Sequence, residues 1–432
     1  MATAARDFQV PDDLAPLIAP VDATGARRGR FSPRELQALA GRLATRGPAA
    51  VATVALARRL AIWNESLAAL LEPGSPERSA LLPRLLVSAR LSAEGLTEGL
   101  EIVLGGASGS SAAELARRTG DLSDDLAGAA PEDFAGVVLA GNIPGLAVQS
   151  LLPALLLGRP LLLKSASAEP WFAAALVEAL VAREPALADA YAAVTFAGDD
   201  EAAFTAAFGE VERLLVYGGE AAVTSLAARF GTRLIAQGPK ASVAFVGDGV
   251  DPVGTARGLA RDIALFDQRG CLSVQAVYTE GDPEELATAL AWALALESAR
   301  LPHGPIAPAT AAAVQQLRAA AELRRGSRTG QHLGLAVGTV LVESETFFRP
   351  VPGLRTVRVH GVRDLRDALP ALEPWRGRLQ GAVLAGPTAD ELAATLPLLS
   401  FSRLAPPGEL QSADASWANG GIDPLDVFSA KR

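Results

Sequence analysis

Residues 136–164 read GVVLAGNIPGLAVQSLLPALLLGRPLLLK. Gly136–Ala140 is a short apolar run stopped by Gly141, Pro144–Leu157 carries helix formers as far as Gly158, and Pro160–Lys164 is apolar again. Short apolar runs bounded by Gly and Pro predict buried strands, here with a helix between them. Working outward, Glu169–Arg183 and Glu220–Phe230 read as helices, and Val194–Ala197 and Arg213–Tyr217 as strands. Strands alternating with helices imply a parallel sheet covered on both faces. Ligands bind at the carboxyl ends of strands in such sheets, which is where Asn142, Lys164, Gly218 and Gly219 fall.

A second α/β block follows. Ser242–Val246 and Val274–Thr279 read as strands around a helix at Pro252–Phe266, with Cys271 in the turn before the second strand. Helices at Pro283–Ser298 and Pro308–Arg324 and strands at Val337–Val342 and Leu354–Val359 continue the alternation. The first 130 residues read as helices and turns. Ser32-Pro33-Arg34-Glu35 predicts a helix start, with a capping serine, a proline in the first turn and an acid three residues along. Val51–Leu71 is helical in pattern, and Gly105–Ser111 reads as a flexible stretch. The polar tail after Pro406, rich in Gly, Pro and Ser, is expected to wrap over a neighbouring surface.

The 432 residues exceed one ordinary core and suggest two or three domains. A net charge of −9 with scattered arginines argues against a nucleic-acid face. A lone cysteine excludes an internal disulfide framework and fits a reducing compartment. The opening residues show no signal-peptide pattern, and the most apolar stretch, residues 143–157, is shorter than the roughly 20 residues a bilayer requires. A soluble cytoplasmic protein with no integral membrane segment is expected. His303, His332 and His360 are isolated and form no metal-ligand spacing, so no metal is expected.

Composition also points to individual residues. There are three lysines against 36 arginines, three asparagines and one cysteine. Where a coding bias has replaced most lysines, the survivors draw attention, because a compact ammonium is not interchangeable with a guanidinium. Cys271, Asn142, Lys164 and Lys240 all sit in Gly-, Pro- or Ser-punctuated segments beside apolar runs. A lone cysteine is commonly a small buried hydrophobe, and a lone Asn a turn residue.

Three segments together reverse those bland readings. Gly141-Asn142-Ile143-Pro144-Gly145, Leu161–Ser165 and Phe266-Asp267-Gln268-Arg269-Gly270-Cys271 resemble, in order and spacing, motifs of the aldehyde dehydrogenase superfamily. Within it, the chain most resembles the acyl-CoA reductases of the LuxC-like type. Gly270–Ser273, Pro407–Gln411 and Trp417–Ile422 carry that likeness. The resemblance implies an α/β fold of two Rossmann-type parallel-sheet domains with the active site between them. Residues 1–234 would form the nicotinamide-binding domain with its helical N-terminal part, and 235–405 the catalytic domain. Residues 406–432 would be a tail packed on the body or on a neighbouring subunit.

By the same resemblance Cys271 is the nucleophile, and the Asn142 amide with the Cys271 N–H holds the oxyanion. Lys164 and Ser167 would meet the adenosine ribose, Gly218 and Gly219 would let the cofactor approach, and Glu345 would grip the nicotinamide ribose. Two departures are informative. Aldehyde-oxidising relatives carry a glutamate base in a Glu-Leu-Gly-Gly-Lys run, but here Ala236-Gln237-Gly238-Pro239-Lys240 places alanine there, 35 residues before Cys271. Alanine takes no proton, so thioester–aldehyde exchange becomes the natural chemistry in place of hydrolysis. Ser167 stands where NAD-preferring relatives often have glutamate, which points to NADPH, with NADH as the alternative.

The resulting expectation is reduction of a fatty acyl-CoA to the fatty aldehyde, releasing coenzyme A, by a homo-oligomer that takes its acyl group from solution or from an acyl-transferring partner enzyme. The alternatives are an acyl-phosphate reductase of the glutamyl-phosphate type, for which only Arg261 and Arg269 are basic and close to Cys271 in sequence, and a non-catalytic scaffold. An Arg324-Arg325 contact to a CoA phosphate is weaker than the reading of that pair as a solvated helix end.

Overall fold

A computed structural model describes residues 6–14, 17–18, 29–120, 134–323 and 334–429. Arg324, Arg325 and His332 lie outside the described residues. Near the start, β1 (Leu17–Ile18) and β2 (Gly29–Arg30) form a small antiparallel pair. Five helices follow, at Pro33–Ala52, Leu56–Leu71, Pro76–Ser88, Ala93–Gly106 and Gly109–Gly120. The first begins as its sequence dictates: the Ser32 N–H donates to Glu35 (2.6 Å), while the Glu35 N–H donates to the Ser32 hydroxyl (3.3 Å).

Two parallel sheets make the body. The first contains β3 (Ala135–Val138), β4 (Leu161–Ser165), β5 (Tyr191–Thr195), β6 (Arg213–Tyr217) and β7 (Leu234–Gln237), in the order β5-β4-β3-β6-β7. The second contains β8 (Ala241–Val246), β9 (Val274–Thr279), β10 (Thr339–Glu343), β11 (Thr356–Gly361), β12 (Leu379–Ala385) and β13 (Arg403–Ala405), in the order β10-β11-β9-β8-β12-β13. Every pairing in both is parallel. All four β3 residues are buried, and so are all six of β8, as a sheet covered on both faces requires.

Several boundaries differ from the sequence reading. β7 pairs with β6, so the change of sheet falls between Gln237 and Ala241 and not at 234/235. The helix expected from Pro144 starts at Val148, because Gly145 has φ +95° and a Cβ there would stand 2.9 Å from Val103. It ends as expected at Gly158, in the left-handed conformation. The helix expected from Glu169 starts at Phe172, and the Glu169 carboxylate accepts the N–H groups of Trp171 (2.9 Å) and Phe172 (3.0 Å). Residues 105–111 are no flexible stretch. The helices on either side are separated only by Ala107 and Ser108, and the Ala107 carbonyl accepts the Trp63 indole N–H at 2.7 Å. Residues 53–55 likewise divide the helical pattern of 51–71.

The feature that positions the site is a left-handed turn. Phe266, Asp267 and Gln268 have φ of 54°, 52° and 60°, a conformation that costs a non-glycine residue about 1–2 kcal/mol. Three residues in a row need compensation, and their side chains supply it. Asp267 pairs with Arg355 at 2.9 Å and accepts the Gly304 N–H at 3.0 Å. Gln268 donates to the carbonyls of Val274 (2.8 Å) and Thr356 (2.7 Å) and accepts the Thr356 N–H (2.8 Å). Phe266 packs against Gly99, where a Cβ would lie 2.4 Å from the ring.

Asp267 and Arg355 are 4% and 1% exposed. Asp267→Ala would leave a buried guanidinium without its charge partner, a change that costs about 3–5 kcal/mol. The expected result is a lower urea midpoint with an unchanged slope; an unchanged midpoint would remove the ion pair as the clamp of the turn.

Candidate active site

Cys271 follows this turn at the amino end of β9. Its carbonyl accepts the Ser242 hydroxyl at 2.7 Å, and that hydroxyl accepts the Gly381 N–H at 3.0 Å. Two residues on, the Ser273 hydroxyl accepts Gln411 Nε2 (3.2 Å), which also donates to the Asp262 carbonyl (2.7 Å). The nucleophile loop is therefore held from the second sheet below and from the carboxy-terminal tail beside it.

The side chain stands between two cavities. One, of about 100 Å3, is mainly apolar and is lined by Val103, Leu152, Phe266, Trp417 and Val427. The other, of about 380 Å3, contains Asn142, Gly218, Gly219, Lys240 and Arg269. Cys271, Tyr217, Gln237 and Asn419 belong to the walls of both. The first sheet brings Asn142 and the glycine pair from the carboxyl ends of β3 and β6, at the centre of its strand order. The second brings Lys240 and Cys271 from the amino ends of β8 and β9. Asn142 Nδ2 donates to the Arg269 carbonyl at 2.9 Å. That bond ties the side chain to the nucleophile loop and leaves its second N–H for another acceptor.

A third cavity, of about 450 Å3, runs between the helix Glu220–Phe230 and the second sheet, past Thr224, Gly238, Lys240, Trp375 and Arg378. Gly219 opens that helix without a side-chain cap, and a Cβ on it would meet nothing within 4 Å. The Glu220 carboxylate is turned to Arg378 at 3.2 Å. An uncapped helix start with open space before it fits the phosphates of a dinucleotide. These residues could hold a nicotinamide cofactor.

Not every expected cofactor residue joins this cleft. Lys164 is buried, with its ammonium 5.2 Å and 5.6 Å from the ring centres of Phe196 and Phe204 and a 3.3 Å bond to the Ser165 carbonyl. Burial brings its pKa down to about 8. Ser167 is exposed in the turn after β4. Glu345 is exposed and paired with Arg349 at 2.9 Å. The sequence reading assigned no role to Asn419 or Gln237. Asn419 is one of three asparagines in the chain, and the rarity that singled out Asn142 applies equally to it. Among the described residues no cluster of His, Cys, Asp or Glu could hold a metal ion, and no helix is long and apolar enough to cross a membrane.

Comparison with known proteins places this arrangement. The fold is that of the aldehyde dehydrogenases. A methylmalonate-semialdehyde dehydrogenase from Oceanimonas doudoroffii matches with a TM-score of 0.71 over 100% of this chain and 97% of its own, at 13% identity. Aldehyde dehydrogenase C from Pseudomonas syringae, solved as a mutant with NAD+ and octanal, matches with a TM-score of 0.69 over 93% and 89%, at 14% identity. The profile of the acyl-CoA reductase (LuxC) family matches residues 124–431, and the chain belongs to that family. The long-chain acyl-protein thioester reductase of Aliivibrio fischeri is 26% identical over 275 residues, 58% of this chain and 56% of that protein. Long-chain acyl-protein thioester reductase 2 of Photobacterium leiognathi is 30% identical over 150 residues, 34% and 31% of the two chains. The matches thus span about half of the first relative's length and a third of the second's.

Burial pushes the Cys271 thiol up to about 11; its own N–H, the nearby Lys240 charge and the Leu272 N–H pull the other way. The resting side chain is therefore a thiol at neutral pH. Alkylation of Cys271 by iodoacetamide, followed by intact mass, should accelerate about tenfold per pH unit between pH 7 and 10, as the thiolate fraction grows. Lys240→Met should slow it throughout that range. A rate already at its plateau at pH 7 would contradict the buried-thiol assignment.

Proposed function

We propose that this protein reduces a long-chain acyl thioester to the aldehyde with a reduced nicotinamide, through an acyl group carried on Cys271. The observation that carries the reading is the position of Cys271 between a narrow apolar cavity and a wider one that also holds Asn142, Lys240 and Arg269, in a site where alanine stands at the position of the hydrolytic base. Ala236 lies in β7 and lines the third cavity.

The chemistry follows from those residues. Cys271 gives its proton to solvent in the wider cavity, and the Lys240 charge stabilises the thiolate, which attacks the thioester carbonyl. The second Asn142 N–H and the Cys271 N–H hold the oxyanion. The bond from the carbonyl carbon to the leaving sulfur breaks, and that thiolate takes up a proton. A bound reduced nicotinamide supplies the hydride. The Cys271 sulfur then leaves as the carbonyl re-forms, and the aldehyde departs. With alanine at 236, no side chain at that position draws a proton from water, so the acyl group is not lost to hydrolysis.

The donor is an acyl-CoA or an acyl group on a protein thiol, the second being what the relatives' names describe. Of the two basic residues close to Cys271 in sequence, Arg261 is occupied by Glu98 (3.3 Å) and the Gly408 carbonyl (3.1 Å) while Arg269 lines the wider cavity, so an acyl phosphate is the third donor to compare. Dodecanoyl-CoA, a dodecanoylated carrier protein and an acyl phosphate, each assayed with NADPH, separate the three. Cys271→Ala should abolish both aldehyde formation and the acyl adduct seen by intact mass. Asn142→Ala should lower kcat by roughly 100- to 1,000-fold, and an unchanged kcat would reduce Asn142 to a turn residue.

NADPH is the proposed cofactor. Ser167 carries no charge, and the nearby Glu169 carboxylate is committed to the start of the helix Phe172–Arg183. Ser167→Glu should lower the kcat/KM ratio of NADPH over NADH by about tenfold or more. An unmoved ratio would detach Ser167 from the ribose.

A further inference from the structure

The walls of the apolar cavity include helix Ala93–Gly106, helix Val148–Leu157, the ends of β6 and β7, the loop at Cys271, and the tail, which contributes Ala413, Ala415, Trp417, Ile422 and Val427. The tail is held by the Ala415 N–H on Ser111 (2.7 Å), by Asp423 on Arg118, by the Asp426 carbonyl on Arg213 (2.8 Å), and, at the cavity itself, by a set of side-chain amides centred on Asn419. Asn419 Nδ2 donates to Gln149 Oε1 at 2.6 Å, its Oδ1 accepts Gln380 Nε2 at 2.7 Å, and its carbonyl accepts Gln237 Nε2 at 2.8 Å. The three glutamines belong to the helix Val148–Leu157, to β12 and to β7. One residue therefore joins the tail to both sheets, and both Asn419 and Gln237 face Cys271's two cavities.

The residue types match the task. A primary amide donates and accepts at once, whereas an aspartate in the same place is acceptor-only. The chain after Asn419 is shaped for the same contact. Gly420 has φ +68°, and a Cβ there would lie 2.3 Å from Gln237 Oε1; Gly421 follows with φ +80°. The tail is anchored again on either side. Upstream, Asp262 accepts the N–H groups of Gly408 (2.7 Å) and Leu410 (3.0 Å). Downstream, Arg159 donates to the Phe428 carbonyl (2.9 Å). Between these anchors, Asn419 is the residue that, among the described residues, bonds to both sheets, while Asp426 and Val427 meet Arg213 of the first and Gln411 meets Ser273 beside the second.

We propose that Asn419 is a positioning residue for acyl-chain selection: it latches residues 413–427 as the movable wall of the apolar cavity, so that a long acyl chain is enclosed beside Cys271. This rests on the acyl-thioester reading above. It nevertheless makes a prediction about the cavity that does not depend on turnover.

The test uses the full chain without cofactor. Alkylation of Cys271 by iodoacetamide is followed by intact mass in the presence of saturated fatty acids of 4, 8 and 12 carbons. In the wild type the 12-carbon acid should protect best. In Asn419→Ala that protection should weaken by roughly tenfold in half-protecting concentration, about 1.4 kcal/mol, and the advantage of 12 over 4 carbons should shrink. Hydrogen exchange of residues 413–427 should rise in the same variant. If a thioester is turned over, the ratio of kcat/KM for 12- over 4-carbon donors should fall in parallel. Wild-type length dependence that persists unchanged in the variant overturns the latch, as does unchanged exchange in the tail. Should Asn419→Ala fail to fold, Gln149→Leu removes one of the three bonds and should weaken protection by about threefold; no change there overturns the proposal. Absence of turnover with every donor, alongside the expected protection pattern, would instead refute the reductase reading and leave the latch standing.

Discussion

Everything at this site depends on a backbone conformation that the residues involved do not favour. Phe266, Asp267 and Gln268 turn left-handed in succession, and only the contacts of their side chains make that affordable. Asp267 answers the buried Arg355, Gln268 fills a three-bond socket on Val274 and Thr356, and Phe266 rests where Gly99 leaves room. The arrangement also explains the spacing of Phe, Gln and Cys. The first residue anchors the turn in the helical region, the second anchors it in the sheet, and the third is delivered to the cavity. Strain held at a reacting centre by surrounding contacts is a common price of placing a nucleophile accurately.

The electrostatics of the site follow from the same enclosure. A thiol pushed up to about 11 is unreactive by default. Cys271 is nevertheless only half-buried, and the positive group acting on it is Lys240. Lys240 donates to the Gly377 carbonyl at 3.0 Å and lines both the polar cavity and the longer cleft. It therefore joins the Cys271 site to that cleft.

The tail turns two sheets into one site. Its polar contacts run to Asp262 and Ser273 beside the second sheet, to Gln149 and Arg159 beside the first, and to the ends of β7 and β12. Apolar burial adds Leu425, Val427 and Phe428 to the core shared by the helical region and the first sheet. Hydrogen bonds that cross between domains at a cavity specify register more than they add net stability, because each exchanges for water on opening.

Much of the fold was legible in local pattern. β6, β9 and the helix Glu220–Phe230 lie where their apolar runs and turn residues put them, since buried parallel strands are short apolar segments bounded by Gly and Pro. The rarity of cysteine, asparagine and lysine singles out Cys271, Asn142, Lys164 and Lys240, and the matching motifs assign roles to the first three of them. β12 and β13 were not legible: one begins Leu-Gln-Gly and the other has three residues, so pairing with a distant neighbour decides them. The same is true of Asn419, whose three glutamine partners lie 39, 182 and 270 residues away, and of Lys164, which the pattern put at a strand end but which packing buries beside Phe196 and Phe204. Sequence determines what a segment becomes when its own periodicity settles the matter. Which polar groups meet across two sheets is decided only in three dimensions, because a hydrogen bond depends on distance and direction in space, and neither is encoded in the spacing of residues along the chain.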